Sequence, residues 1–321
     1  MTLYYFLNVF LYKNKGLVMK KKHITLFTLV LSLLLIFSQF ILPQNNSSSE
    51  EIFFAFITDI HVQPERNAIQ GFDKAIEELN KLNPEFVITG GDLIFDALGV
   101  GYERADSLFN IYVDMTKRIN AKTYNTIGNH DIFGWYEKSK VSRDHPEFGK
   151  VMYEKRLGKT YYSFNHKNIK VFVLDSVEEI PEKGKYYGYI NDEQIQWLKE
   201  ELSKTDTTTL LIISTHIPLI TTLSQIRGGS MVANERGLVV ENAKEVLELF
   251  SKHNLRLVLQ GHLHYYEELN IMNKVKFITG GAISGRWWLG ENQGLQEGFV
   301  VIKIKDNEIN AQYVDYGWEV K

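Results

Sequence analysis

Three short segments of this 321-residue chain concentrate side chains that bind metal ions: Asp59-Ile60-His61, Gly128-Asn129-His130-Asp131 and Gly261-His262-Leu263-His264. Asp92 follows Gly90-Gly91, and His216 follows Ser214-Thr215. Asp59, His61, Asp92, Asn129, His216, His262 and His264 make seven oxygen and nitrogen donors without sulfur, a set suited to two divalent ions such as Mn, Fe or Zn. Alternate side chains of an extended segment share one side, so Asp59 and His61 can chelate one ion. By the same spacing His262 and His264 can each serve one of two ions. Asp92, behind glycines that permit close approach, is the natural bridge. Two ions about 3.5–4 Å apart activate a shared water and neutralise the oxygens of an in-line phosphoryl displacement.

The segments that carry these residues alternate apolar strands with amphipathic helices, which predicts an α/β class. Strands are expected at Ile52 to Ile57, Phe86 to Thr89, Thr123 to Ile127, Leu210 to Ile213 and Leu255 to Leu259. Each runs into one of the ligand-bearing turns, and a sheet places its chemistry just beyond the carboxyl ends of its strands. Helices are expected where Ile69, Phe72, Ile76, Leu79 and Leu82 recur, with Asn67 as cap and Pro84 as stop. Others should carry Leu108, Ile111, Tyr112, Met115 and Ile119, then Asp192 to Leu202, then Val246 to Phe250. Hairpins are expected around His166-Lys167-Asn168 and around Asp306-Asn307.

The chain has no cysteine, which removes disulfides, thiolate metal sites and cysteine nucleophiles. Its net charge of −3 conceals two regions. The first 44 residues carry five lysines and no acid, leaving 31 basic against 39 acidic residues in the remainder. A body that acidic does not coat nucleic acid. An anionic substrate needs positive charge from elsewhere, and two metal ions supply it.

Lys20-Lys21-Lys22-His23 precedes an apolar run from Ile24 to Leu42 closed by Pro43. That layout predicts a signal peptide or an uncleaved membrane anchor over residues 1–43, with the body outside the cytoplasm. Met1 and Met19 are both possible starts. Residues 44–51, polar and Ser-rich, read as a linker, and residues 52–321 as a single catalytic domain.

In order and spacing, Asp59-x-His61, Gly91-Asp92, Gly128-Asn129-His130-Asp131, His216 and Gly261-His262-x-His264 resemble the calcineurin-like metallophosphoesterases. The resemblance implies a four-layer αββα sandwich with two mixed β-sheets flanked by helices, here preceded by an N-terminal hydrophobic helix. It implies one ion on Asp59, His61, Asp92 and His264, and a second on Asp92, Asn129, His216 and His262. It also implies that a hydroxide shared by the ions attacks phosphorus. His130 would contact the substrate phosphate and protonate the leaving oxygen, beside Asn129. Asp131 would support the catalytic residues or cap the loop. Asp92 is followed by Leu93-Ile94-Phe95-Asp96 instead of the Val-Asp-Arg-Gly of protein phosphatases, which argues against a phosphoprotein substrate.

Trp135, Arg286 and Trp287 are candidates for lining a substrate cleft, the alternative for Trp287 and Trp288 being a tight turn of packed tryptophans. The expectation is a hydrolase of small phosphate monoesters or diesters with no protein partner. A lipid-linked pyrophosphate hydrolase and a non-catalytic binding module of the same fold are the alternatives.

Overall fold

The computed structural model describes residues 50–180 and 185–320. The expected address and nearly all of the linker, and with them the N-terminal helix, lie outside the described residues. Among the described residues no helix is long and apolar enough to cross a membrane.

The first half runs β1 (Ile52–Ile57), α1 (Ala68–Leu82), β2 (Phe86–Thr89), α2 (Tyr102–Thr116) and β3 (Lys122–Tyr124). It continues through α3 (Val151–Leu157), β4 (Tyr162–His166), β5 (Ile169–Val173), β6 (Val177–Ile180) and β7 (Lys185–Gly188). Then come α4 (Asp192–Ser203), β8 (Leu210–Ser214), α5 (Leu223–Gly228), α6 (Ala243–Leu249) and β9 (Asn254–Gln260). Strands β10 (Tyr266–Ile271), β11 (Val275–Gly280), β12 (Gly298–Lys305) and β13 (Glu308–Asp315) complete the chain.

Two large mixed sheets result. One has the order β13-β12-β1-β2-β3, the other β10-β11-β9-β8-β5-β4. In the first, β1, β2 and β3 are parallel, while β12 joins β1 antiparallel. In the second, β5, β8, β9 and β11 are parallel, with antiparallel β4 and β10 at the edges.

Strand periodicity divides the core. Phe54 and Phe56 of β1 point into one cluster with Val171 of β5, Ile212 of β8, Leu257 of β9 and Val300 of β12. That cluster therefore joins the inner faces of the two sheets. Ala55 and Ile57 point the other way, into a cluster shared with Phe72 and Ile76 of α1 and Tyr112 of α2. Because both faces are covered, β1 reads as an unbroken apolar run with no polar alternation. Each fully buried Phe side chain contributes about 1.5–3 kcal/mol. In β9, Leu255 and Leu257 fall in opposite clusters although two residues apart. A register shift against β8 passes over Arg256 and reverses the alternation there.

Three sequence expectations differ in detail. The strand expected over Thr123 to Ile127 ends at Tyr124, so residues 125–128 reach the third ligand turn without ladder pairing. Helix α2 stops at Thr116, and Ile119 packs into the core from beyond it. Asn67 does precede α1, but in a left-handed conformation and with no side-chain capping bond.

Candidate metal centre

The ligand-bearing turns leave the carboxyl ends of strands in both sheets: β1, β2 and β3 in one, β8 and β9 in the other. Where the inner faces meet, the turns also meet. Backbone bonds extend the β1–β2 pairing past the strands, from Asp59 N to Gly91 O and from His61 N to Asp92 O. The Asp59 carboxylate then accepts the His262 N–H, at 3.1 and 3.0 Å to its two oxygens, across the sheets.

Asp59, His61, Asp92, His262 and His264 all have φ between 47° and 73°. The expectation that Asp-x-His and His-x-His are extended is therefore corrected. The side chains converge because left-handed residues, alternating with ordinary ones in Asp59-Ile60-His61 and His262-Leu263-His264, fold each turn back on itself. Such conformations cost about 1–3 kcal/mol each in non-glycine residues, and they persist where the surrounding structure enforces them. Two glycines permit the convergence. A Cβ on Gly128 would lie 2.1 Å from the backbone nitrogen of Asp92, and one on Gly261 would lie 2.2 Å from Thr58 Oγ1.

Among the described residues three overlapping groups of ligand atoms result: Asp59, His61 and His264; His61, Asp92 and His130; and Asp92, His216 and His262. Nε2 of His61 is 3.0 Å from Nε2 of His264 and 3.5 Å from Asp92 Oδ2. Nε2 of His264 is 3.4 Å from Asp59 Oδ1. On the other side of Asp92, Nε2 of His216 is 3.3 Å from Asp92 Oδ1, 3.0 Å from Asn129 Oδ1 and 3.3 Å from Nδ1 of His262. Ligand atoms that share one ion at about 2.1 Å are about 3.0–3.4 Å apart. The spacing therefore fits two ions with Asp92 between them. The far ring nitrogens are already oriented, since His216 Nδ1 donates to Gly90 O, His262 Nε2 to Gly237 O and His264 Nδ1 to Gly285 O. Those bonds aim the second nitrogen of each ring into the site, where an ion would take the place of a proton.

The electrostatics agree. Burial opposes the ionised form of both aspartates, but His264 beside Asp59 and His216 beside Asp92 keep their carboxyls low. Burial holds His61 down at about 3 and His262 at about 4, so both rings are neutral. His216 is pushed up to about 9, because Asp92 and Asp59 outweigh its burial. The site thus draws a positive charge to the position between His216 and Asp92.

His130 stands beside this cluster. Its backbone N–H donates to Asp92 Oδ1 at 2.8 Å, and its ring meets that of His61 edge-on, centroids 4.8 Å apart. Nδ1 lies 3.6 Å from Asp96 Oδ1. Burial disfavours its charge, yet Asp92 and Asp96 push it up to about 9. Asp96 is a site residue that sequence reasoning passed over, and its one signal is its position four residues after Asp92 in the same loop.

Asp131 does not face the cluster. It is fully buried, and its oxygens accept the N–H groups of Leu93, Ile94 and Gly128, which ties the Asp92 turn to the Asn129 turn. Trp135 packs into the core with 8 % exposure. Arg286 is exposed and bonds the carbonyl of Leu289 in its own turn. Of the two tryptophans, Trp288 is fully buried and Trp287 is 41 % exposed, with its ring 4.6 Å from that of His264.

Known proteins resemble this chain. A probable cyclic nucleotide phosphodiesterase of Xenorhabdus bovienii is 22% identical over 247 residues, 74% of this chain and 87% of that protein. A second, from Fibrobacter succinogenes, is 24% identical over 230 residues, 70% of this chain and 77% of its own length. A dimetal phosphatase structure from Danio rerio aligns with a TM-score of 0.59 at 14% identity, covering 83% of this chain and 96% of that one. This likeness is one of fold. The model of the calcineurin-like phosphoesterases matches residues 54–266, about two thirds of the chain. The protein belongs to that family of phosphate-ester hydrolases.

Proposed function

We propose that this protein hydrolyses small phosphodiesters at a dinuclear metal centre. The observation that carries the reading is the pair of donor groups that share Asp92, with His130 beside them. Asp59, His61, Asp92 and His264 would hold one ion, and Asp92, Asn129, His216 and His262 the other. Mn, Fe and Zn all suit these donors. Such ions lower the pKa of a water and neutralise phosphoryl oxygens.

The chain's own residues supply the rest. The backbone bond from His130 to Asp92 holds its imidazole next to the reacting position. Nδ1 of His130 faces Asp96, so Nε2 is the nitrogen available to pass a proton to the leaving ester oxygen. Asn129 holds its Oδ1 3.0 Å from Nε2 of His216. The names of the two bacterial relatives favour a diester, cyclic nucleotides among them, over a monoester.

The domain is read as a four-layer αββα sandwich, with residues 52–321 catalytic, 44–51 a linker and 1–43 an export signal or anchor. The body would then act outside the cytoplasm on a small phosphorylated substrate, without a protein partner. The test is a panel of bis(p-nitrophenyl) phosphate, p-nitrophenyl phosphate, cyclic AMP and a lipid-linked pyrophosphate, with and without chelator. Metal-dependent turnover of the diesters is expected. Turnover of the monoester or pyrophosphate alone overturns the reading, and absence of stoichiometric metal by elemental analysis favours the binding module.

A further inference from the structure

Trp287 sits in an unusual mount. It and Trp288 have φ of 51° and 67°, consecutive left-handed residues in the loop between β11 and β12. Trp288 anchors the pair. Its indole N–H donates to the carbonyls of Ile60 and His61, both at 3.0 Å, and its ring fills the space that a Cβ on Gly71 would occupy. Trp287 is thereby held outward, tilted by 39° on the His264 ring and 6.1 Å from that of His61.

A second clamp comes from the loop between β1 and α1. Nη1 of Arg66 donates to the carbonyl of Trp287 at 3.0 Å, across 221 residues of sequence. The same guanidinium lies 5.2 Å over the ring of Phe95, which in turn meets His61 edge-on at 6.5 Å. Exposed tryptophan at a strained position gains little from packing, so packing alone does not account for the residue type.

We infer that Arg66, Phe95 and Trp287 form a subsite for a flat aromatic group, such as a nucleobase, on the substrate that reaches the Asp59–His61–His264 side of the centre. The inference deepens the phosphodiester reading and rests on it for the identity of the neighbouring centre. Trp287 offers a ring for stacking, and Arg66 fixes the backbone that carries it and brings a planar cation to an acidic protein. Trp287 is then the specificity-determining residue and Arg66 the positioning residue.

The test compares two ligands that differ only by the base. Binding of adenosine 5′-monophosphate and of ribose 5-phosphate to the metal-loaded full chain is measured by calorimetry, which needs no turnover. Wild type is expected to favour the nucleotide by roughly 5- to 100-fold, the worth of one stacked base. Trp287→Leu should bring the ratio to within about twofold while leaving ribose 5-phosphate affinity intact, and Trp287→Phe should keep most of the preference. Arg66→Gln should lower the ratio part of the way. Equal wild-type affinities overturn the inference, as does an equal loss for both ligands in Trp287→Leu. A base preference without diester turnover would instead overturn only the assigned reaction.

Discussion

Nε2 of His61 stands 3.0 Å from Nε2 of His264, and Nδ1 of His264 is committed to the Gly285 carbonyl. Four imidazoles, two carboxylates and an amide oxygen thus crowd two small gaps, and cations relieve that crowding best. Chelation should therefore destabilise the folded protein. At a metal concentration 100-fold above Kd, binding adds about 2.7 kcal/mol, a rise of several degrees in Tm. Asp92→Ala, which removes the shared ligand, should lose both the metal and this response. A Tm indifferent to chelator in the wild type would contradict the ligand assignment.

His130 touches the Asp92 carboxylate through its backbone, and the proposed reaction assigns its ring to the leaving oxygen. His130→Ala should retain two metal ions per chain and lose about 10²–10⁴-fold in kcat, the usual worth of a general acid. Metal loss in this variant would make His130 a structural ligand instead.

Asp96 faces the imidazole of His130 at 3.6 Å. Asp96→Asn keeps the shape and removes the charge. It should lower kcat by about 10–100-fold, with metal content unchanged, and should have little further effect in a His130→Ala background. Additive losses in the double variant would disprove the coupling.

Gly128 approaches Asp92 so closely that any side chain collides with its backbone nitrogen and Oδ1. Gly128→Ala should fold, because the collision is confined to the turns, but should bind the metal pair more weakly by titration. Unchanged stoichiometry and affinity would show that the turn can shift at no cost.

Asp131 joins two ligand turns through three backbone N–H groups. Asp131→Ala strands those donors in the interior at about 1–3 kcal/mol each, so a stability loss of about 3 kcal/mol or more is expected by denaturant titration. Asp131→Asn retains an acceptor oxygen and should recover part of it. A loss of activity without loss of stability would return Asp131 to a direct catalytic role.

The strands, the positions of the turns and the donor types were legible in the sequence, although the conformation of the turns was not. The apolar run Ile52–Ile57 buried on both faces, the i, i+2 ligand pairs and the glycines beside Asp92 and His262 are local patterns. Local patterns survive without tertiary information, because the hydrophobic period and the chemistry of the donors belong to the residues themselves. Convergence was not local. That three ligand turns leave one sheet and two leave the other, and that the turns are left-handed and not extended, follows from how two sheets pack face to face. The division of Trp287 from Trp288, the withdrawal of Trp135 into the core and the approach of Asp96 to His130 have the same origin. Adjacent residues of one type in one turn differ only in which way packing turns them. Arg66 meets Trp287 across 221 residues, and only the folded chain brings the two together.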